Sequence, residues 1–359
     1  MHLCFEEMVS WEVQKRAVFH QINQSDLPLV LFGKSPVIQP DFLQQLTVPV
    51  QYICDNDPEK WGTKQWGMEI VEPDKLSKLY SFYNVLILVP FEQQIVPQLM
   101  GLPVPPAEVF RLDLYFEERG TAAYFQRNQT DIEEIYDCLS DQQSKDTYEA
   151  VIQYRISRDP AILTSISLPR KTQYFPDSLG EIQFLHSNEV FVDAGAFIGD
   201  TIQAFYSTVH GQYSAIHAIE PERKNYEKLI VNTNAFPGLM YYRSVIGDHV
   251  GEIRFSSEDS SSRADQSGTE IIPIQTLDSL LKGVPVTFLK MDVEGMECAA
   301  LQGAKAVIQT FHPKLAICTY HSDADMVQVP KLIKQLDPTY KLYFRHYTNA
   351  LVETVCYAI

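Results

Sequence analysis

The period of the apolar positions changes twice along the chain and divides it into three blocks. Up to about residue 115, the β-rich runs "PLVLFG" (28–33), "VQYICDND" (50–57), "NVLILV" (84–89) and "VFRLDL" (109–114) alternate with stretches such as "PDFLQQLT" and "PDKLSKLYSFY". The latter open on Pro-Asp and read as helices, so block 1–115 predicts a small Rossmann-like α/β domain with a parallel sheet. From 116 to 185 the spacing turns helical: Ile132, Ile135, Tyr136 and Leu139, then Tyr148, Val151, Ile152 and Ile156, share a face, with Asp131 as the expected N-cap. This block predicts a helical linker or lid that ends in a loop exposing Tyr174 and Phe175. From 186 to 359 alternation returns, with seven candidate strands in "EVFVDAG", "AIHAIEP", "YYRSVIG", "VTFLKMDV", "KLAICTYH", "KLYFRHY" and "ETVCYAI". The last two stand too close for a crossover helix and should close a seven-stranded sheet as an antiparallel hairpin.

Composition narrows the classes. With 45% hydrophobic residues, 19 Tyr and 19 Phe, the chain is not disordered. Its net charge of −17 repels phosphate backbones and anionic lipid surfaces, which argues against nucleic acid or membrane as partners and for a small molecule. No two of Cys4, Cys54, Cys138, Cys298, Cys318 and Cys356 form a CxxC pair, so reduced thiols are expected. The first twenty residues do not read as a signal peptide, and the longest apolar run is too short to span a bilayer. A cytoplasmic protein is expected; assembly into a homo-oligomer stays open.

Chemistry concentrates at "VFVDAGAFIGDT" (190–201), a strand, a glycine corner and a helix start. A dinucleotide fingerprint would read G-x-G-x-x-G; here the pattern is D-x-G-x-x-x-G, and the carboxylate of Asp193 stands where a pyrophosphate would need neutral donors. Glu220 ends the next strand, 27 positions on, where an acid can accept ribose hydroxyls. An acid near the turn and a ribose-binding acid describe S-adenosylmethionine, a cationic cofactor without phosphate, better than NAD. In the first block, "LFGKSPVIQP" is interrupted by Pro36 and lacks a complete phosphate loop, and Asp55 ends the second strand; a structural or substrate-docking use fits it.

Beyond the corner, "IEP", "LKMDVEGMECAALQGA", "PKLAICTYH" and "YFRHY…ETVCYAI" follow in order. Together these stretches resemble the FkbM-type methyltransferases, and the block 1–115 is similar to an extra domain that some members carry. The resemblance implies a class I S-adenosylmethionine-dependent fold that commonly methylates hydroxyl groups of sugars, glycolipids or polyketides. The cofactor-binding candidates are Asp193, Gly195, Phe197, Gly199, Thr201, Glu220, Pro221 and Asp292, and the resemblance pairs Glu294 with Asp292 as the acids after the fourth strand.

For catalysis, an activated methyl donor leaves the protein to orient the acceptor and remove its proton. Asp193, Glu220, Asp292 and His321 each end an expected strand and should converge on one crevice. His321 is the candidate general base, with His346, Asp292 and Glu294 behind it. Tyr174, Phe175, Arg263 and Arg345 are candidate substrate contacts, and Ser261 and Ser262 sit with Arg263 in a loop expected to overhang the pocket. A divalent metal would find ligands in Asp292, Glu294, His321 and His346, but nothing in their spacing demands one. Two other readings stay open: a fold-retaining docking protein without turnover, and a nucleotide-cofactor oxidoreductase working through the first block.

Overall fold

The computed structural model describes residues 11–33, 38, 40–89, 92–112, 121–256, 263–264 and 270–359. Pro36, Ser261, Ser262 and the side chain of Arg263 lie outside the described residues. The chain forms two compact units: one runs through Ala122 and takes in Ile156–Arg158, and the other comprises Ala123–Arg155 and Asp159–Ile359.

In the first unit, Leu29–Phe32, Val50–Cys54, Lys64–Gln65, Met68–Val71, Asn84–Ile87 and Val109–Arg111 make a six-stranded sheet. Only Lys64–Gln65 runs antiparallel to its neighbour. Alternate residues feed two cores, Leu29, Leu31, Ile53 and Leu86 on one face and Val30, Phe32, Cys54 and Val85 on the other. Both Asp55 carboxylate oxygens take Lys60 Nζ, at 3.2 and 3.1 Å, so this strand-end acid already has its cation.

The second unit is built on seven strands: β1 (Val190–Ala194), β2 (Ala215–Ile219), β3 (Leu239–Tyr242), β4 (Phe288–Met291), β5 (Lys314–Cys318), β6 (Leu342–His346) and β7 (Thr354–Ala358). Their order across the sheet is β3-β2-β1-β4-β5-β7-β6. Neighbours pair in parallel except where β7 runs antiparallel to β5 and β6. An aromatic cluster fills one side, with the Phe191 and Phe288 rings stacked at 4.9 Å and Phe184, Phe205 and Phe175 around them. Each such side chain stabilises the fold by roughly 1.5–3 kcal/mol.

Several local expectations need correction. Neither Tyr174 nor Phe175 is exposed: both are buried, and the Phe175 ring packs on Phe191 and Phe288. "YYRSVIG" is not one strand. After β3 the chain leaves the main sheet, and Val245–Ile246 joins Gly251–Ser256, Arg263–Ala264 and Glu270–Gln275 in a separate four-stranded sheet. The helix expected over "MECAALQGAKAVIQTF" breaks into Glu297–Gln302 and Lys305–Phe311 at Gly303, where Gly247 O sits 2.0 Å from where a Cβ would be. The helical block also divides, into Gln129–Cys138 and Gln142–Ser157, because Ser140 N–H leaves the helix to bond Leu342 O. Its N-cap is Asn128, with Asp131 inside the first turn. No helix among the described residues is long and apolar enough to cross a membrane.

Candidate cofactor and acceptor site

A cavity of about 920 Å³ opens at the carboxyl ends of β1, β2 and β4, the usual ligand crevice of an open α/β sheet. That volume lies at the upper end for a small-molecule site. Gly195, Phe197, Thr201, Glu220, Pro221, Asp292 and Glu294 line it, with Tyr174 and Phe175.

Close backbone approach shapes the corner after β1. Gly195 has φ 84°, and a Cβ there would lie 1.8 Å from Asp292 O, so only glycine lets the β1 and β4 loops touch. Gly199, at φ 86°, caps the helix Asp200–Thr208, and a Cβ there would meet Thr233 and Leu229. It does not line the cavity; its place is in helix packing, which corrects the cofactor contact expected of it. Between the two glycines Phe197 is half-exposed, and its N–H donates to Glu220 Oε2 at 2.9 Å. Glu222 N–H donates to Glu220 Oε1 at 2.9 Å. Burial nonetheless pushes the Glu220 carboxyl up to about 7, against the pull of these two bonds.

Asp193 is also corrected. It is completely buried below the cavity lining, and the cation it meets is Lys290 Nζ, 2.9 Å away. The two residues are register partners on β1 and β4, which places both side chains on the same face of the sheet. Lys290 Nζ also donates to Gly195 O at 2.7 Å, tying this pair to the glycine corner. Burial raises the Asp193 carboxyl to about 6, the Lys290 charge pulling the other way. Lys290 itself is held above its ordinary value: burial opposes its charge, but Asp193 and Asp292 outweigh it.

Asp292, unlike Asp193, faces the cavity. Its Oδ2 accepts from Tyr174 OH at 3.1 Å and its Oδ1 from Tyr320 OH at 2.9 Å. Burial alone would raise this carboxyl; Lys290 and His321 more than offset that and hold it below its usual value. His321 stands beside Asp292 but not in the cavity lining, with Nε2 3.4 Å from Asp292 Oδ1, 3.8 Å from Glu294 Oε2, and Nδ1 3.0 Å from Glu297 Oε1. Burial disfavours its charge, yet these carboxylates push the imidazole up to about 9. It is therefore cationic at neutral pH, not the free base expected of it.

His346 is fully buried on β6, its Nδ1 2.8 Å from Thr354 Oγ1, and burial lowers it to about 4. It lies away from the cavity lining, so it is no base for this site. Arg345 is likewise buried, bonding both Asp141 oxygens and Ser144 Oγ, which leaves it no substrate role. Of the expected metal ligands, Asp292 and His321 do come together, but the third member of the group is Glu297 rather than Glu294 or His346, with ligand atoms within 4.8 Å of one another.

Sequence reading missed Lys290, Glu297, Tyr320 and Ser244. A lysine inside the apolar strand "FLKM" is itself a signal, since a buried charge needs a partner on an adjoining strand. Ser244 carried no signal, because its position depends on how β3 ends. Its Oγ is buried, lines the cavity and has no hydrogen-bond partner among the described residues. Ile219, Val245 and Ile246 add apolar lining to the same cavity. An unsatisfied hydroxyl and apolar lining suit a purine, and the acids Glu220 and Asp292 suit ribose hydroxyls and a cation. This donor set fits S-adenosylmethionine.

The strand order with its antiparallel β7, and the acid after β2, define a class I, Rossmann-like methyltransferase fold. Within it, residues 193–347 match the family model of the methyltransferase FkbM domain. The crystal structure of methyltransferase FkbM from Methylobacillus flagellatus KT overlays with a TM-score of 0.69 at 22% identity, covering 96% of this chain and 92% of that one. Aeropyrum pernix fibrillarin with natively bound S-adenosyl-L-methionine gives a TM-score of 0.31 at 10% identity, covering 50% of this chain and 70% of that one. An S-adenosylmethionine-dependent methyltransferase from Aquifex aeolicus gives 0.31 at 12% identity, covering 56% and 97%. No curated protein sequence matches the chain.

Proposed function

We propose that the cavity transfers a methyl group to a hydroxyl of a small molecule, a sugar, glycan precursor or polyketide-like compound, in the cytoplasm. One observation carries this reading: an ionised carboxylate, Asp292, faces the cavity between two tyrosine hydroxyls. S-adenosylmethionine, when bound, supplies a methyl already activated on a sulfonium. Glu220 and Ser244 would hold its ribose and purine, with Phe197, Thr201 and Pro221 around them. Asp292 accepts, at a carboxylate oxygen, the proton that the acceptor hydroxyl sheds. A carboxylate held below its usual pKa is a weak base toward an alcohol, but the oxygen becomes strongly acidic as its bond to carbon forms, so late proton transfer is downhill. Tyr174 and Tyr320 keep the carboxylate oriented, and His321 keeps it charged. The net charge of −17 supports a small-molecule acceptor over nucleic acid.

Calorimetry with S-adenosylmethionine is the first test, and absence of binding sinks the reading. The second is a screen of sugar and glycan hydroxyls with a labelled methyl donor. There Asp292→Asn should lower turnover by about 10²–10⁴-fold; a methylated nitrogen or carbon instead of oxygen would overturn the acceptor class.

A further inference from the structure

Part of the cavity lining is basic, and the mechanism above makes no use of it. Arg170, Lys171, Lys224 and Lys228 all line the cavity, although the chain as a whole carries −17. Arg170 is already engaged, its guanidinium 3.2 Å from Glu353 Oε1. Lys171, Lys224 and Lys228 are exposed and make no ion pair among the described residues. Lys224 and Lys228 stand one turn apart on the helix Arg223–Thr233, so their like charges share a face and repel. The acids of the same lining are held elsewhere. Glu220 and Glu222 accept backbone N–H groups, Asp292 accepts two tyrosine hydroxyls, and Glu353 takes Arg170 and Gln173. Asp200 and Glu294 complete the set, and neither pairs with these lysines.

We propose that Lys171, Lys224 and Lys228 bind a phosphate or diphosphate group of the acceptor, so that the molecule methylated is a phosphorylated sugar or glycan precursor. This rests on the reading of the cavity as a methyl-transfer site. S-adenosylmethionine has no need of the three lysines. It carries a sulfonium and an ammonium against one carboxylate, so free ammonium groups oppose its binding while Glu220 and Asp292 favour it. A cavity of about 920 Å³ lies at the upper end for small-molecule sites and leaves room for an acceptor beside the cofactor. The type of cation selects the anion. A single carboxylate is held best by the planar fork of an arginine, and the arginine of this lining is on Glu353. Separate ammonium groups on flexible stems act as point charges and match the several oxygens and higher charge of a phosphate or diphosphate. The helix supplies two of them and the turn Arg170–Thr172 the third. The first turn of that helix is closed by Glu222, whose Oε2 accepts Asn225 N–H at 2.6 Å, so the side chains and not the helix end carry the attraction. A net charge of −17 repels an extended polyanion, while a local cluster of cations still draws in a small one.

The test is calorimetry on the full chain with EDTA present, using inorganic pyrophosphate, glucose 1-phosphate, UDP-glucose and glucose as probes. Pyrophosphate should bind, and added salt should weaken it. The phosphorylated sugars should bind at least about tenfold more tightly than glucose, since charge-assisted contacts are lost with the phosphate. Lys224→Gln combined with Lys228→Gln should lower pyrophosphate affinity by at least about tenfold, and Lys171→Gln should lower it further. The double change to Arg, which keeps both charges, should retain the binding. Lys282→Gln, an exposed lysine outside the lining, should leave it unchanged. Affinity of the double Gln variant for S-adenosylmethionine should hold or rise, which also shows that the variant is folded. Absence of pyrophosphate binding, equal affinity for glucose and glucose 1-phosphate, or a requirement for Mg²⁺ overturns the proposal. So does a loss of S-adenosylmethionine affinity in the double Gln variant as large as the loss for pyrophosphate, which would give the lysines to the cofactor. Failure of the unaltered protein to bind S-adenosylmethionine would remove the methyltransferase reading, while the pyrophosphate titration would still decide the anion site by itself.

Discussion

Replacing Gly195 by Ala tests whether contact between the β1 and β4 loops organises the site. The added Cβ would lie 1.8 Å from Asp292 O and 2.8 Å from its carbonyl carbon, both backbone atoms that cannot swing aside. Restoring an ordinary 3.4 Å contact requires the loops to part by about 1.6 Å. A left-handed backbone costs an L-residue roughly 1–2 kcal/mol, and forcing extra carbon into a packed site costs about 1–3 kcal/mol. Stability should therefore fall by about 2–5 kcal/mol, read as a lower urea midpoint at unchanged slope. The same parting would stretch the 3.1 and 2.9 Å bonds that Tyr174 and Tyr320 make to Asp292, and the 2.9 Å bond from Phe197 to Glu220. Affinity for S-adenosylmethionine should drop at least tenfold by calorimetry. A variant within about 0.5 kcal/mol of the parent, with affinity within twofold, would refute the reasoning, because it would mean the loops have slack that the 1.8 Å approach denies them.

Four further outcomes are expected. Glu220 titrates near 7 in the unliganded protein, while ribose hydroxyls need its carboxylate, so S-adenosylmethionine affinity should rise from pH 6 to 8 with proton release visible as buffer-dependent enthalpy; Glu220→Gln should flatten that slope. Since the folded pKa lies above the unfolded one, the stability linked to Glu220 is complete below about pH 4.3 and declines as pH rises through 7, so the unliganded protein should melt lower at pH 7.5 than at pH 5.5 by this contribution. Lys290→Met leaves Asp193 buried without its cation and should cost about 3–5 kcal/mol in urea unfolding, more at pH 8 than at pH 5.5, where the carboxyl can take a proton instead; equal losses at both pH values would show that Asp193 stays charged regardless. Arg155→Met breaks the buried 2.8 Å pair with Asp323 and the bond to Tyr320 O, and should cost a similar amount with a loss of His321 order by NMR.

Much of this protein was legible from local pattern. Alternating apolar runs marked the strands, and the final short connection required a hairpin, because these features depend on residues close together in the chain. The corner "VFVDAGAFIGDT" and the acid Glu220 were legible for the same reason: strand ends fix where a ligand crevice opens. What each strand-end acid does was not legible. Asp193 and Asp292 look alike as sequence, but the register of β1 against β4 sets Lys290 beside Asp193 and buries both, leaving Asp292 to face the cavity. His321 reads as a free imidazole until the helix after β4 brings Glu297 to its Nδ1. Ser244 has no sequence signal because it becomes a lining residue only where the chain passes from one sheet to another. The sequence by itself determined the alternation of strands and helices and the strand ends around which the crevice opens. The tertiary structure decided which charges are spent on each other and which remain for chemistry, since a buried group's protonation depends on neighbours that lie far away along the chain.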